Sequence, residues 1–221
     1  MSTTLNSGSL LQSGRYRIER VLGQGGFGIT YLATHTGFDQ KVALKEFYMK
    51  ELCVRNEETS FVTLGTGESC ATVERFRGKF LKEARNLFRL NHKHIVRVLD
   101  IFEENGTAYF AMEYAEGGSL SQKVKAEGAL SEDVATRYIL QVAEALAYLH
   151  EQKMNHLDVK PANIMLSAKD DVVLIDFGLA KQYDATGGQT STTPAGISEG
   201  YAPMEQYKLG GVSEFTPETD I

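Results

Sequence analysis

A chain of 221 residues that is 42% hydrophobic and 24% charged has the composition of an ordinary folded protein, which excludes disorder or low complexity as its main character. Its net charge of -6 speaks against a nucleic-acid binder, which normally carries a basic surplus. No run approaches the roughly 18 apolar residues of a membrane span, the start MSTTLNSGSLLQSG has no charged or apolar export signal, and Cys53 and Cys70 have neither disulfide-framework nor metal-ligand spacing. The expectation is a cytoplasmic protein with no membrane segment and no nucleic-acid partner.

Residues 1–14 read as a flexible, polar N-terminus. RYRIERVL then alternates apolar and polar residues as a half-buried strand does. VLGQGGFGITYL follows, with Gly23, Gly25 and Gly28 in the spacing G-x-G-x-x-G. That spacing fits either a dinucleotide-binding turn or a glycine-rich lid between two strands. A dinucleotide turn needs a helix to open there, its N-terminus meeting the pyrophosphate. The chain instead runs through Phe27, Ile29, Tyr31 and Leu32 with Thr30 and Thr34, a β-branched and aromatic stretch ending in the turn HTGFD. Strand, glycine loop, strand is the arrangement of the lid.

KVALKEF supplies a third strand, and about 46–73 reads as an insertion with two strand signals, LCVRN and SFVTLG. From Val73 the period changes to that of a helix, with Phe76, Phe80, Ala84, Leu87 and Phe88 on one face. IVRVLDIFEE and TAYFAMEY are strands separated by Asn105 and Gly106. EGGSL at 116–120 marks a break in character. Ser131 then caps a second long helix, with Glu132 and Asp133 in its first turn and Val134, Tyr138, Val142, Ala145, Leu146 and Leu149 as its apolar face. A strand-rich half and a helix-rich half meet near residue 115, and junctions of that kind are common ligand sites.

HLDVKPAN at 156–163 and DFG at 176–178, with the glycine loop and VALK at 42–45, resemble the eukaryotic-type (Hanks-type) serine/threonine protein kinases. The resemblance implies an α+β, bilobal protein-kinase-like fold. Its small antiparallel-sheet lobe with one long helix would span 15–112, its hinge 113–118, and an incomplete, mainly helical large lobe 119–221. It also implies transfer of the γ-phosphoryl of ATP, with Mg²⁺, to Ser/Thr hydroxyls of a protein substrate. Such transfer passes through a loose transition state, so the protein mostly positions groups and neutralises charge.

The resemblance assigns roles residue by residue. Leu22, Gly23, Gly25, Gly26, Phe27, Gly28 and Thr30 would form the lid over ATP, the glycines letting backbone amides approach the phosphates. Lys45 would meet the α- and β-phosphates, aimed by Glu83 in preference to Glu74 or Glu46. Asp158 would accept the substrate hydroxyl proton, Lys160 contact the moving phosphoryl group, and Asn163 and Asp176 hold the metal. Ser198 matches the hydroxyl residue that contacts the catalytic aspartate and lysine. The adenine would lie between Ala43 and Met165, against Glu113, Tyr114 and Ala115, with Met112 limiting the back of its pocket. His156 and Phe177 look like packing residues in the family, and His92 and His94 resemble a motif that ends the family's first helix rather than a metal site.

Two departures carry expectations of their own. Leu157 stands where many of these kinases have an arginine that binds a phosphate on the activation segment. Activity is therefore expected not to require phosphorylation within 179–197, despite Thr186, Thr190, Ser191, Thr192 and Thr193. Pro203, Met204 and Glu205 replace A-P-E, and KEFYMKELCVRN and GYAPMEQY look most like bacterial members. The chain stops at FTPETDI, where Asp220 resembles the aspartate that opens the central helix of the large lobe. Apolar surface is accordingly expected to stay uncovered, favouring self-association or a completing chain. The alternative is a nucleotide-binding or regulatory module inactive on its own, but Lys45, Glu83, Asp158, Asn163 and Asp176 are all in place, which favours the enzyme.

Overall fold

The computed structural model describes residues 3–64, 68–177, 181–182, 198, 200–202 and 216–221. They fall into two compact units, one of Met1–Arg89 with Arg97–Tyr114 and one of Leu90–Val96 with Ala115–Ile221.

The first unit is built on an antiparallel sheet. Its strands are β1 (Leu10–Leu11), β2 (Tyr16–Gln24), β3 (Gly28–His35), β4 (Gln40–Phe47), β7 (Val98–Glu104) and β8 (Thr107–Glu113), in the order β1-β2-β3-β4-β8-β7. TAYFAM of β8 is buried throughout, as a central strand covered on both faces requires. Asn105 and Gly106 join β7 to β8 with φ of 51° and 72°, the left-handed pair that a two-residue hairpin needs. The 46–73 stretch holds the hairpin β5 (Cys53–Arg55) and β6 (Val62–Leu64).

Helix α1 (Glu68–Phe88) begins earlier than the apolar period at Val73 announces, because its first turn, of sequence ESCA, has no large apolar residue. It buries Val73, Phe80, Ala84 and Leu87, while Phe88 is 58% exposed. Adjacent helix residues diverge by about 100°. Leu87 takes the inward direction, so Phe88 leaves the expected face. The rings of Phe47, Phe80 and Phe110 meet beneath the helix at 5.7 and 5.0 Å.

The start of the chain is packed where flexibility is expected. Leu5 and Leu11 are buried, and the segment pairs with β2 through Gly8 N–H to Ile18 O (2.8 Å) and Ile18 N–H to Ser9 O (2.9 Å).

The second unit centres on α3 (Glu132–Glu151), which buries Tyr138, Val142, Ala145, Leu146 and Leu149. Ser131 occupies its N-cap position without a side-chain cap bond, so Glu132 and Asp133 are the residues that complement the helix dipole. A short helix that the sequence reading lacks, α2 (Leu120–Glu127), carries the capping box that Ser131 does not form. The Ser119 hydroxyl accepts from Gln122 N–H, and the Gln122 side chain accepts from Ser119 N–H. β9 (Met154–Asn155) pairs with β12 (Lys181–Gln182), and β10 (Ile164–Leu166) with β11 (Val172–Leu174). The segment Leu90–Val96 belongs here rather than with the first unit. Val96 N–H donates to Leu174 O at 3.0 Å, Leu174 N–H to His94 O at 2.8 Å, and Asn91 N–H to the Tyr148 hydroxyl at 3.1 Å.

Candidate active site

In the first unit the β3–β4 register sets Thr30 opposite Lys45 and Leu32 opposite Ala43, and Ala43 pairs in turn with Met112 of β8. Lys45 Nζ lies 3.4 Å from Glu83 Oε1 and 5.6 Å from the centre of the Phe110 ring. Both members of the pair are mostly shielded, with 20% and 16% of their side chains exposed, so their attraction is screened less than that of a surface pair. The competing glutamates are engaged elsewhere, Glu74 with Arg77 at 3.4 Å and Glu46 with Arg55 at 2.7 Å. Of the three glutamates, Glu83 is thus the one paired with Lys45.

The glycines divide by physical cause. A Cβ on Gly28 would stand 2.7 Å from the Glu46 carbonyl oxygen, so the close approach of β4 excludes any side chain there. Gly23 and Gly26 have open space where a Cβ would be. Gly25 N–H donates to Gly28 O at 2.9 Å, closing the turn from which Gly26 and Phe27 project. Phe27 is half exposed and stacks on Phe76 of α1 at 5.0 Å. Leu22 and Thr30 are partly buried on the strands flanking the turn, Met112 is buried, and Glu113 is exposed with its N–H on Arg97 O.

In the second unit a loop and a 3₁₀ turn (Pro161–Asn163) run from β9 into β10. Lys160 Nζ donates to Asp158 Oδ2 at 2.8 Å and to Ser198 Oγ at 2.6 Å, and the Ser198 hydroxyl donates to Asp158 Oδ1 at 2.5 Å. Asn163 Nδ2 donates to the Asp158 carbonyl at 2.9 Å and to Oδ2 at 2.8 Å. Asp158 is thus held by three side chains, with a pocket of about 210 Å³ beside it that Tyr201, Ala202 and Thr219 help to line.

The β10–β11 hairpin brings the backbone segments bearing Asn163 and Asp176 to one end. Ile164 pairs with Leu174, so the residues just outside that pair share one end, and Ile175 N–H donates to Asn163 O at 2.9 Å. Asp176 has a φ of 64°, a left-handed conformation costly for a residue with a Cβ and typical of functional sites. Asn163 spends its Nδ2 on Asp158, so the hard oxygens this stretch offers are the Asn163 amide oxygen and the Asp176 carboxylate. Two such oxygens suit Mg²⁺, which keeps waters and substrate phosphates as its other ligands. Among the described residues no group of three or more His, Cys, Asp or Glu could hold a metal. Met165 sits on β10 opposite Val173, and Ala115 is partly buried.

His156 packs as expected, wholly buried with its ring 4.7 Å from that of Phe177 and Nε2 3.1 Å from Ile175 O. Burial pulls its pKa below the usual histidine value. His92 stacks on Tyr148 at 5.1 Å, and His94 Nδ1 meets Val172 O at 2.8 Å, as packing residues do. The sequence reading misses what Asp220 does to this loop. Its carboxylate accepts from His156 N–H at 2.8 Å and Leu157 N–H at 2.7 Å, and lies 2.9 Å from His150 Nε2. Gly178, Thr186, Thr190, Ser191, Thr192, Thr193, Pro203, Met204 and Glu205 lie outside the described residues.

A family model described as the protein kinase domain matches residues 16–221. The chain is 32% identical over 210 residues to serine/threonine-protein kinase B of Synechocystis, covering 91% of this chain and 34% of that protein. It is 31% identical over 209 residues to serine/threonine-protein kinase PrkC of Bacillus subtilis, covering 95% and 29% respectively. The chain thus spans about a third of the length of these relatives. A solved structure titled PpkA-294 apo form superposes with a TM-score of 0.73 at 30% identity, over 80% of this chain and 62% of that one.

Proposed function

The chain belongs to the protein kinase domain family, and from that premise we propose that it transfers the γ-phosphoryl group of ATP to serine or threonine hydroxyls of a protein substrate. The observation that carries this reading is the holding of Asp158 by Lys160, Asn163 and Ser198. A carboxylate fixed in this way is oriented to accept the hydroxyl proton as the new O–P bond forms and the bond to the bridging oxygen of ADP breaks. Lys160 then offers its charge to the moving phosphoryl group, and Ser198 keeps both side chains in register. Lys45, aimed by Glu83, binds the α- and β-phosphates. The backbone of Gly23, Gly25, Gly26 and Gly28, with Leu22, Phe27 and Thr30, covers them. Ala43, Met112, Glu113, Ala115 and Met165 receive the adenine.

Asn163 and Asp176 would hold Mg²⁺, which when bound neutralises charge on the phosphates. The free thiols of Cys53 and Cys70 favour a reducing, cytoplasmic setting. The exposed apolar side chains of Ile139 and Leu140 on α3 support self-association or a completing chain, and a clean monomer in sedimentation at high concentration would exclude the first of these. No helix among the described residues is long and apolar enough to cross a membrane.

Phosphate transfer from labelled ATP with Mg²⁺, to the protein itself and to a generic basic protein, tests the central reading beside an Asp176→Asn control. Transfer that vanishes in the control is expected. Equal transfer by wild type and by Asp176→Asn would refute the assignment.

A further inference from the structure

The residue after Lys45 belongs to a buried charge pair that the phosphate-transfer reading leaves unused. Successive strand residues point to opposite faces, so while Lys45 reaches Glu83 on α1, Glu46 points away from that helix. Glu46 is wholly buried, and its carboxylate accepts from Arg55 at 2.7 Å, from the Tyr31 hydroxyl at 2.8 Å and from the Tyr109 hydroxyl at 2.6 Å. Arg55, its side chain 2% exposed, also donates to Ser60 O at 2.9 Å and Thr3 O at 3.1 Å. Leu5 N–H donates to the Tyr31 hydroxyl at 3.1 Å. The network therefore fastens the β5–β6 hairpin and the N-terminal segment onto β3, β4 and β8.

Stability alone is a weak reason for such a pair, since apolar residues of similar volume often do as well or better once desolvation is counted. Register is a stronger one. A slip of β4 by one residue would exchange the two faces. A slip in one direction would set Lys45 against Arg55 and a slip in the other would set Glu46 against Glu83, so either one puts a like-charge contact where an opposite-charge pair stood. We infer that Glu46 and Arg55 are positioning residues: together with Lys45 and Glu83 they form an alternating-charge lock that admits one register of β4 and so aims Lys45 at Glu83. The hairpin and the segment Thr3–Leu5 serve as the clamp that holds Arg55 in place. The significance of Lys45 for nucleotide rests on the proposed function, but the lock itself does not.

The test compares Arg55→Met, the double variant Glu46→Gln/Arg55→Met, and the mild Tyr31→Phe, each at a temperature where it is folded by circular dichroism. The readout is the rate at which acetic anhydride labels Lys45, relative to exposed Lys169, resolved by mass spectrometry and accompanied by hydrogen exchange of the β4 amides. Arg55→Met is expected to melt earlier and to label Lys45 about tenfold faster, as a more frequently opened site does. The double variant strands no buried charge, so it is expected to recover melting temperature while Lys45 stays overlabelled. Tyr31→Phe falls between wild type and these. Wild-type labelling of Lys45 in the folded double variant would overturn the inference, since a purely structural pair predicts that result. Should Arg55→Met not fold, the double variant and Tyr31→Phe decide in the same way. Binding of a fluorescent ATP analogue with Mg²⁺ is measured in parallel. If wild type binds none while labelling follows the expected order, the proposed function fails and the lock stands.

Discussion

Leu157 donates its backbone N–H to Oδ1 of Asp220 at 2.7 Å, and this bond secures a residue whose φ is 63°. A left-handed conformation at a β-carbon residue costs about 1–3 kcal/mol and persists only where its surroundings enforce it. Asp220 enforces it twice over, taking His156 N–H as well, directly before Asp158. Asp220→Ala would leave two buried N–H groups unpaired and His150 without its partner. We expect a stability loss of about 3–5 kcal/mol in urea unfolding, and a fall in phosphate transfer that exceeds any loss of nucleotide binding. An unchanged urea midpoint would contradict this account.

Gly28 and Gly26 should respond differently to the same methyl group. At Gly28 the obstacle is the Glu46 carbonyl at 2.7 Å, part of a backbone that cannot swing aside, whereas Gly26 has nothing within 4 Å. Gly28→Ala is expected to cost about 1–3 kcal/mol as an overpacking change. Gly26→Ala should stay within about 0.5 kcal/mol, as surface substitutions usually do. Thermal melting of the two variants checks the difference. Any activity lost in Gly26→Ala then reports on the lid's approach to phosphate rather than on folding.

Local patterns announced much of this architecture. Alternation gave β2 and the glycine turn, helical spacing gave α3, and the motif HLDVKPAN gathered Asp158, Lys160 and Asn163 within a few residues, so short-range geometry could bring them together. What stayed illegible was long-range or weakly patterned. Asp220 acts 63 residues from Leu157, a separation that no local period encodes. Glu46 reads in the sequence only as a weaker partner for Lys45, because Arg55 and the two tyrosines from β3 and β8 that converge on it are distant along the chain. α2 buries only Leu120, so it has almost no apolar face to read, although Ser119 and Gln122 spelled its cap. Phe88 fitted the helical spacing and faced outward because Leu87 had already taken the inward direction.

Ser198 and Leu157 make separate predictions about phosphate. Ser198 bridges Lys160 and Asp158, so Ser198→Ala should lower kcat by about tenfold or more while leaving the KM for ATP nearly unchanged, the pattern of an interaction that matters in the transition state. A rise in KM alone would remove Ser198 from this role. Leu157 is buried and cannot bind a phosphate by charge. Replacing Thr186, Thr190, Ser191, Thr192 and Thr193 together with alanine is therefore expected to leave transfer to a protein substrate largely intact. Abolished activity in a folded variant would show that this segment is switched by another cation.

Alkaline pH should expose the cost of the tyrosines around Glu46. Burial raises the pKa of both Tyr31 and Tyr109 well above the ordinary phenol value, and the Glu46 charge raises each further. Tyr138 is pushed up to about 12 by burial and by its bond to Asp170, and burial raises Tyr16 and Tyr48 as well. In the unfolded chain these phenols ionise near pH 10. Their contribution to stability is thus fully present below about pH 10 and is lost as pH climbs from there toward the folded values, because the unfolded state releases protons that the folded state keeps. The urea midpoint is expected to fall steeply as pH rises above about 10. Tyr109→Phe should flatten that limb while lowering stability at neutral pH, since Glu46 loses a donor at 2.6 Å. Tyrosinate absorbance supplies the second check. Of the ten tyrosines, Tyr31 and Tyr109 should ionise only as the protein unfolds, and a wild-type alkaline slope in Tyr109→Phe would count against their burial around this charge.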